Sequence, residues 1–230
     1  MTLRLAAKAL RNPSKIFPAL VGRVFPSSKW APNWKPLNGF WTFREDGFAV
    51  ATGPAGLLAR QYWETTTIRR HLAGLKAQTS LEIGCGYGRL SPILAEFSAV
   101  HIAIDINPEA LEKARKYYQG IEFRQASATE LPAGDASQDL VVTWTVLQHI
   151  PPPAIEKALA EIRRVLKPGG TVLLCEATKF PNRKAEHIWD RERAFYERAL
   201  PGLTRVAGGY IRELDDITGA GSPGEVMLFR

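Results

Sequence analysis

Cysteine is scarce in this chain. Its 230 residues include two, Cys85 and Cys175, both inside segments that read as interior. A disulfide framework is therefore a poor account of the fold, and a reducing, cytoplasmic setting suits the chain better. No run of about 18 apolar residues occurs, so no segment reads as a membrane-spanning helix. Internal repeats and low-complexity segments are also lacking. Acidic residues are missing altogether from positions 1–44, which carry eight cations: Arg4, Lys8, Arg11, Lys15, Arg23, Lys29, Lys35 and Arg44. The rest of the chain is close to neutral, with 22 basic against 23 acidic residues. The net charge of +7 thus belongs to an N-terminal arm, which argues for a local anionic partner rather than nucleic acid bound to the body.

A hydrophobic content of 45 % is ordinary for a globular protein, and the length suits one large α/β domain or one domain with an appendage. The organisation reads as an arm over residues 1–56 and a domain over 57–230. Within the arm, residues 2–11 have amphipathic helical spacing, with Leu3, Ala6, Ala7 and Leu10 on one face. Trp30, Trp34 and Trp41 then cluster. Three readings stay open. The arm packs on its own domain; or residues 1–41 contact an anionic membrane surface, cations beside interfacial aromatics, placing the protein peripherally on a membrane's inner face; or it is a targeting peptide.

Beyond the arm, Leu57 to about Lys76 has helical spacing, and strands then alternate with helices. The strands read as Ser80–Ile83, Val100–Ile106, Ile121–Gln125, Leu140–Thr145 and Thr171–Cys175. The helices read as Arg89–Phe97, Pro108–Tyr118 and Pro152–Leu166. Residues 179–200 read as helical, and Glu225–Phe229 as a last edge strand. Near-continuous apolar strands between helices imply a mostly parallel, doubly wound sheet covered on both faces.

The segment Leu81-Glu82-Ile83-Gly84-Cys85-Gly86-Tyr87-Gly88-Arg89-Leu90 carries the functional signal. A glycine-rich strand-to-helix turn lets a ligand lie against bare backbone. A dinucleotide fingerprint would need its third glycine at position 89, where Arg89 stands. Asp105 follows Gly84 by 21 residues, at the end of the second strand, where a carboxylate suits the hydroxyls of a ribose. Glu82 brings a second carboxylate toward the turn. That repels a pyrophosphate and attracts an ammonium group, so the ligand should combine ribose, adenine and a positive charge.

These segments resemble the ordered motifs of class I S-adenosylmethionine (SAM)-dependent methyltransferases, in the branch that acts on small molecules and lipids. Ile104-Asp105-Ile106-Asn107 is similar to the second motif. Ser127–Pro132, Asp139–Val142, Val146–Ile150 and Leu166–Gly170 follow in the family's order. The resemblance covers roughly residues 57–177. It implies a seven-stranded Rossmann-like sheet and SAM as cofactor, with no metal. It also implies that the Gly84-Cys85-Gly86 backbone and Gly88 lie along the cofactor's methionine part, and that Glu82 orients the amino group. Asp105 would hold the ribose, Ile106 would pack on adenine, and Ser127 with Ala128 would stand near the adenine amino group, where the family often has Asp. Thr143 would lie near the sulfonium, Trp144 would look toward the acceptor, and Tyr62 would close over the cofactor.

If the acceptor is a hydroxyl, His149 and Glu176 are the available bases. Trp189, His187 and Arg191 could shape the acceptor site, although a solvated helix face is the plainer reading of Arg191. The acceptor is expected to be a small molecule or a lipid-linked one, methylated on oxygen, nitrogen or carbon. Two other classes compete. An NAD(P)-dependent oxidoreductase is opposed by Arg89, by Glu82 and by the lack of a Tyr-x-x-x-Lys pair. A scaffold that keeps the fold without catalysis is opposed by the intact Glu82, glycine turn and Asp105. Base methylation of nucleic acid is opposed by Thr143-Trp144-Thr145-Val146, where an Asn/Asp-Pro-Pro-aromatic stretch would be expected.

Overall fold

The computed structural model describes residues 54–178, 188–189, 191–210 and 224–230, with side chains from Gln61 onward except that of Tyr210. Residues 1–53 of the arm, with all its cations, and His187 lie outside the described residues. The elements run α1 (Pro54–His71), β1 (Ala77–Ile83), α2 (Ser91–Ala95), β2 (Ser98–Asp105), α3 (Pro108–Tyr117), β3 (Glu122–Gln125) and β4 (Gln138–Trp144). A 3-10 turn at Leu147–His149 follows, then α4 (Pro152–Val165), β5 (Leu166–Ala177), α5 (Arg193–Ala199), β6 (Arg205–Tyr210) and β7 (Gly224–Phe229).

These strands form one seven-stranded sheet in the order β3-β2-β1-β4-β5-β7-β6. β1 to β5 pair in parallel, and β7 runs antiparallel between β5 and β6. The strand order turns back between β1 and β4, so the crevice at their carboxyl ends is where such a sheet takes a ligand. Period-two alternation divides the side chains. Leu81, Ile83, Val141 and Leu174 pack toward α4, whereas Leu140, Val142, Trp144 and Leu173 pack toward Ile68 and Leu72 of α1 and Leu94 of α2. Burial on both faces is why these strands read as apolar runs.

Local signals explain several boundaries. Asn107 caps α3, its Oδ1 accepting from the N–H groups of Glu109 (3.0 Å) and Ala110 (3.3 Å), and Pro108 opens the helix. Asp139 locks the opposite end of the sheet. It accepts from the backbone of Gln78 and Thr79 on β1 and from Lys167 on β5. β6 is the strand that the sequence reading omits. Its Gly208, at φ 142°, lies so close to β7 that a Cβ would stand 2.0 Å from the Val226 carbonyl oxygen. The crowding that demands glycine also removes the apolar alternation that signals a strand. Of residues 179–200, the described helix is Arg193–Ala199 alone. Among the described residues no helix is long and apolar enough to cross a membrane.

Candidate active site

The glycine turn is shaped by three positive φ angles, at Gly84 (75°), Gly86 (54°) and Gly88 (75°), a region that L side chains enter only at a cost. The Gly84 and Cys85 N–H groups donate to the Ile104 carbonyl at 2.7 and 2.9 Å, which hangs the turn on β2. A Cβ on Gly84 would lie 2.4 Å from Cγ2 of Val146, so the loop after β4 rests directly on the turn. Gly88 has a different task. A Cβ there would meet the Phe123 ring at 2.9 Å, so its bareness serves packing against β3. Cys85 points inward with Leu111, Ala114 and Phe123, and burial raises its thiol pKa well above the ordinary value. Its backbone, not its sulfur, is what it can offer a ligand.

Asp105 is buried and ties the turn to the end of β2. Its Oδ2 accepts from the Gly86 N–H and its Oδ1 from the Asn107 N–H, both at 2.8 Å. Burial raises its pKa against the pull of those donors. Each carboxylate oxygen still has capacity for a second donor, such as a ribose hydroxyl. Glu82, at the end of β1, is also buried and takes donors on Oε2 from Ser91 Oγ and His101 Nε2. Ile106 is half-buried beside Asp105. Ser127 uses its hydroxyl locally, 2.8 Å from Thr129 Oγ1 and 3.1 Å from the Thr129 N–H that donates to it, while Ala128 packs on the central core.

The loop after β4 departs from the sequence reading. Thr145 sits at φ 57°, an unusual conformation for a β-branched residue, at the point where β4 gives way to the loop. Thr143 does not line the crevice. Its fully buried hydroxyl donates to Glu176 Oε1 at 2.9 Å. Glu176 is likewise enclosed, and its carboxylate also accepts from the N–H groups of Val146 (3.2 Å), Leu147 (3.1 Å) and Gln148 (3.0 Å). Burial pushes its pKa up to about 7 against those four donors. A carboxylate so enclosed and so occupied is placed to hold the loop, not to reach an acceptor. His149 is buried too, its Nε2 lying 3.2 Å from Gln148 Nε2.

Trp144 is buried on the α1 side of the sheet. Period-two alternation directs it to the α1 face, where its indole N–H donates to Glu64 Oε1 at 2.9 Å. Glu64 is buried and also pairs with Arg89, whose Nη1 donates in addition to Gln61 Oε1 at 2.6 Å. The residue that breaks the dinucleotide pattern thus pins α1 across the turn. Tyr62, the next residue after Gln61, is 62 % exposed, with its ring edge-on to Trp63. The solvated reading of Arg191 also gives way. The side chain is buried, donating to the carbonyls of Leu147 (2.9 Å), Trp189 (3.1 Å) and Ile150 (2.6 Å) and lying over the Phe195 ring. With the Trp189 N–H donating to Gln148 O at 2.7 Å, this segment grips the loop through its carbonyls. Glu176 grips the same loop through its N–H groups.

The sheet order, the bare turn over Val146 and the carboxylates ending β1 and β2 agree with what a comparison of sequences finds. A methyltransferase-domain family matches residues 81–174. Residues 81–174 are thus similar to a methyltransferase domain. Demethylmenaquinone methyltransferase of Clavibacter sepedonicus is 36 % identical over 124 residues, 53 % of this chain and 49 % of that protein. The ubiquinone biosynthesis O-methyltransferase of Aromatoleum aromaticum is 33 % identical over 134 residues, 50 % of this chain and 56 % of that protein. The chain therefore spans about half the length of these curated relatives. Among solved structures, Haemonchus contortus phosphoethanolamine N-methyltransferase 1, in complex with phosphoethanolamine and S-adenosylhomocysteine, superposes with a TM-score of 0.72 at 16 % identity. That match covers 87 % of this chain and 48 % of that one, and it shows the shared fold.

The residues of this domain fit the family's cofactor, SAM. Gly84 leaves no room for a side chain, Asp105 keeps acceptor capacity for hydroxyls, and Glu82 is a buried carboxylate beside the turn.

Proposed function

We propose that this protein transfers a methyl group from SAM to a small-molecule or lipid-linked acceptor. The observation that carries the reading is the convergence of Glu82, the bare Gly84–Gly86 backbone and Asp105 at the switch point of the sheet. In it, Asp105 holds the ribose, Glu82 the amino group, Ile106 the adenine face, and Ser127 with Ala128 the adenine edge. The cofactor brings a methyl already activated on a sulfonium. The chain must then orient the acceptor and exclude water, which can supply most of the rate. His149 is the base this reading retains for a hydroxyl acceptor. Glu176 becomes the anchor of the loop. The names of the two relatives, a demethylmenaquinone methyltransferase and a ubiquinone biosynthesis O-methyltransferase, support a lipid-linked acceptor of quinone type.

The test is a calorimetric titration with S-adenosylhomocysteine and, separately, with NAD. The wild type is expected to bind the first in the micromolar range and not the second. Asp105→Ala removes charge-assisted hydrogen bonds to the ribose and frees the Gly86 N–H. It is expected to weaken binding by about 2–3 kcal/mol, roughly 30- to 150-fold. A folded wild type that binds NAD instead, or neither ligand, would overturn the reading.

The division into an arm (1–56) and a domain (57–230) belongs to the same proposal, with the arm meeting an anionic membrane surface. Eight cations without an acidic residue, beside three tryptophans, support it. Full-length protein is expected to sediment with anionic liposomes, and protein lacking residues 1–29 to stay in the supernatant. Equal sedimentation of the two would dismiss the membrane role.

A further inference from the structure

The apolar interior of β1 and β2 is interrupted by buried polar side chains, Glu82 and Asp105 toward the carboxyl ends and one facing pair deeper in the sheet. Ser80 and His101 stand opposite each other in the parallel register, and both are buried. Polar side chains so placed are costly unless hydrogen-bonded, and these two are bonded into a chain. Ser80 Oγ lies 2.6 Å from Ser98 Oγ and 2.7 Å from His101 Nδ1. The other imidazole nitrogen, Nε2, lies 3.4 Å from Glu82 Oε2.

In one arrangement that satisfies every link, the Ser80 hydroxyl accepts from Ser98 and donates to Nδ1, and the proton on Nε2 is directed at Glu82, whose carboxylate can only accept. Each donor then polarises the next, and the chain ends on the carboxylate. Ser91 Oγ donates to the same oxygen of Glu82. Two donors from different elements, β2 and α2, thus share Oε2, and no described hydrogen bond falls on Oε1.

We propose that His101 is a positioning residue for cofactor recognition. Anchored by Ser80, it works with Ser91 to hold Oε2 of Glu82, so that Oε1 is presented to the ammonium group of the cofactor. This rests on the reading that Glu82 meets that group. An apolar residue at 101 would leave Ser80 without its acceptor and Glu82 with one donor fewer, free to rotate within a buried site. Glutamine, with an amide donor at similar reach, would keep the hold on Glu82.

Two ligands separate this role from a purely structural one. S-adenosylhomocysteine carries the amino group, and 5′-methylthioadenosine keeps adenine and ribose but lacks the amino-acid portion. In calorimetric titrations His101→Leu is expected to weaken S-adenosylhomocysteine about tenfold or more, the scale of one charge-assisted hydrogen bond, and to change methylthioadenosine by less than about twofold. His101→Gln is expected to restore most of the loss. If His101→Leu does not fold, Ser80→Ala, which removes the imidazole's anchor, carries the same comparison. Equal weakening of both ligands, or none, would overturn the inference. Glu82→Gln distinguishes the layers of the argument. A selective loss for S-adenosylhomocysteine there, without one in the position-101 and position-80 variants, defeats the role of His101 alone. No selective loss in Glu82→Gln defeats the reading of Glu82 and this inference with it.

Discussion

Alanine in place of Glu176 is expected to cost about 3–5 kcal/mol of stability, and to take cofactor binding with it. The Glu176 side chain is fully buried and receives four donors: the Thr143 hydroxyl and the N–H groups of Val146, Leu147 and Gln148. Truncation leaves three backbone donors facing a cavity, at roughly 1–3 kcal/mol for each one not re-satisfied by water. The loop would then lose its hold from below, and Val146 would no longer be fixed over Gly84. Denaturant unfolding, read beside an S-adenosylhomocysteine titration, checks both effects. A variant within about 1 kcal/mol of wild type would mean that the loop is held from the Arg191 side alone.

The isosteric change Glu176→Gln tests the electrostatics of the same site. Burial raises the carboxyl pKa to about 7, above its ordinary value near 4.5. The folded state therefore binds the proton more tightly than the unfolded chain does. Relative to a residue that does not titrate, the wild type is penalised increasingly as pH rises from about 4.5 to 7, and fully above that. The stability difference between wild type and Glu176→Gln should shift in favour of the glutamine variant across this window, by about 3 kcal/mol at most. Below pH 4.5 the difference should be flat. Comparing the pair cancels groups such as Asp105, whose raised pKa acts in the same direction.

How far the sequence could be read follows from what each residue answers to. The central parallel strands β1, β4 and β5 are buried on both faces, so their apolar runs stood out, and the glycine turn stood out because positive φ angles demand glycine. The strand ends were harder. Glu82, Thr143, Trp144 and Glu176 all sit at carboxyl ends, and the sequence reading aimed all four at the ligand. Alternation separates them. Trp144 shares the α1 face with Val142, and Thr143 meets Glu176 beneath the loop, on the side of Leu174 and α4. Period two alone could have shown that Thr143 and Trp144 cannot face the same way. Other features had no local signal. Arg191 is buried because three carbonyls converge on it, two of them from a loop about 40 residues earlier. Val146 matters because it fills the space over Gly84, and Thr145 takes a conformation that its residue type disfavours. Such features are tertiary in origin, and they cluster on the loop opposite the turn.

Arg89→Ala is the second change with a large expected effect, about 3–5 kcal/mol, the cost of removing one partner from a buried ion pair. Glu64 is 1 % exposed, while Arg89 reaches it from the start of the segment leading into α2 and donates to Gln61 as well. The loss would therefore do more than delete a contact, because a buried carboxylate would lose the Arg89 guanidinium that faces it. Glu64→Gln supplies the control. Its amide oxygen can still accept from the Trp144 indole, and it carries no charge, so the double variant should recover a large part of what Arg89→Ala loses. If the double variant is no more stable than Arg89→Ala alone, the cost lies in lost packing of the arginine stem and not in the Glu64 charge. The functional consequence distinguishes α1 as a clasp from α1 as a passive cover. The Arg89–Glu64 pair and the Gln61 bonds join α1 to the end of the glycine turn. A stable double variant that binds S-adenosylhomocysteine about tenfold more weakly would make the ion pair part of the cofactor site's architecture. Unchanged affinity would confine it to stability.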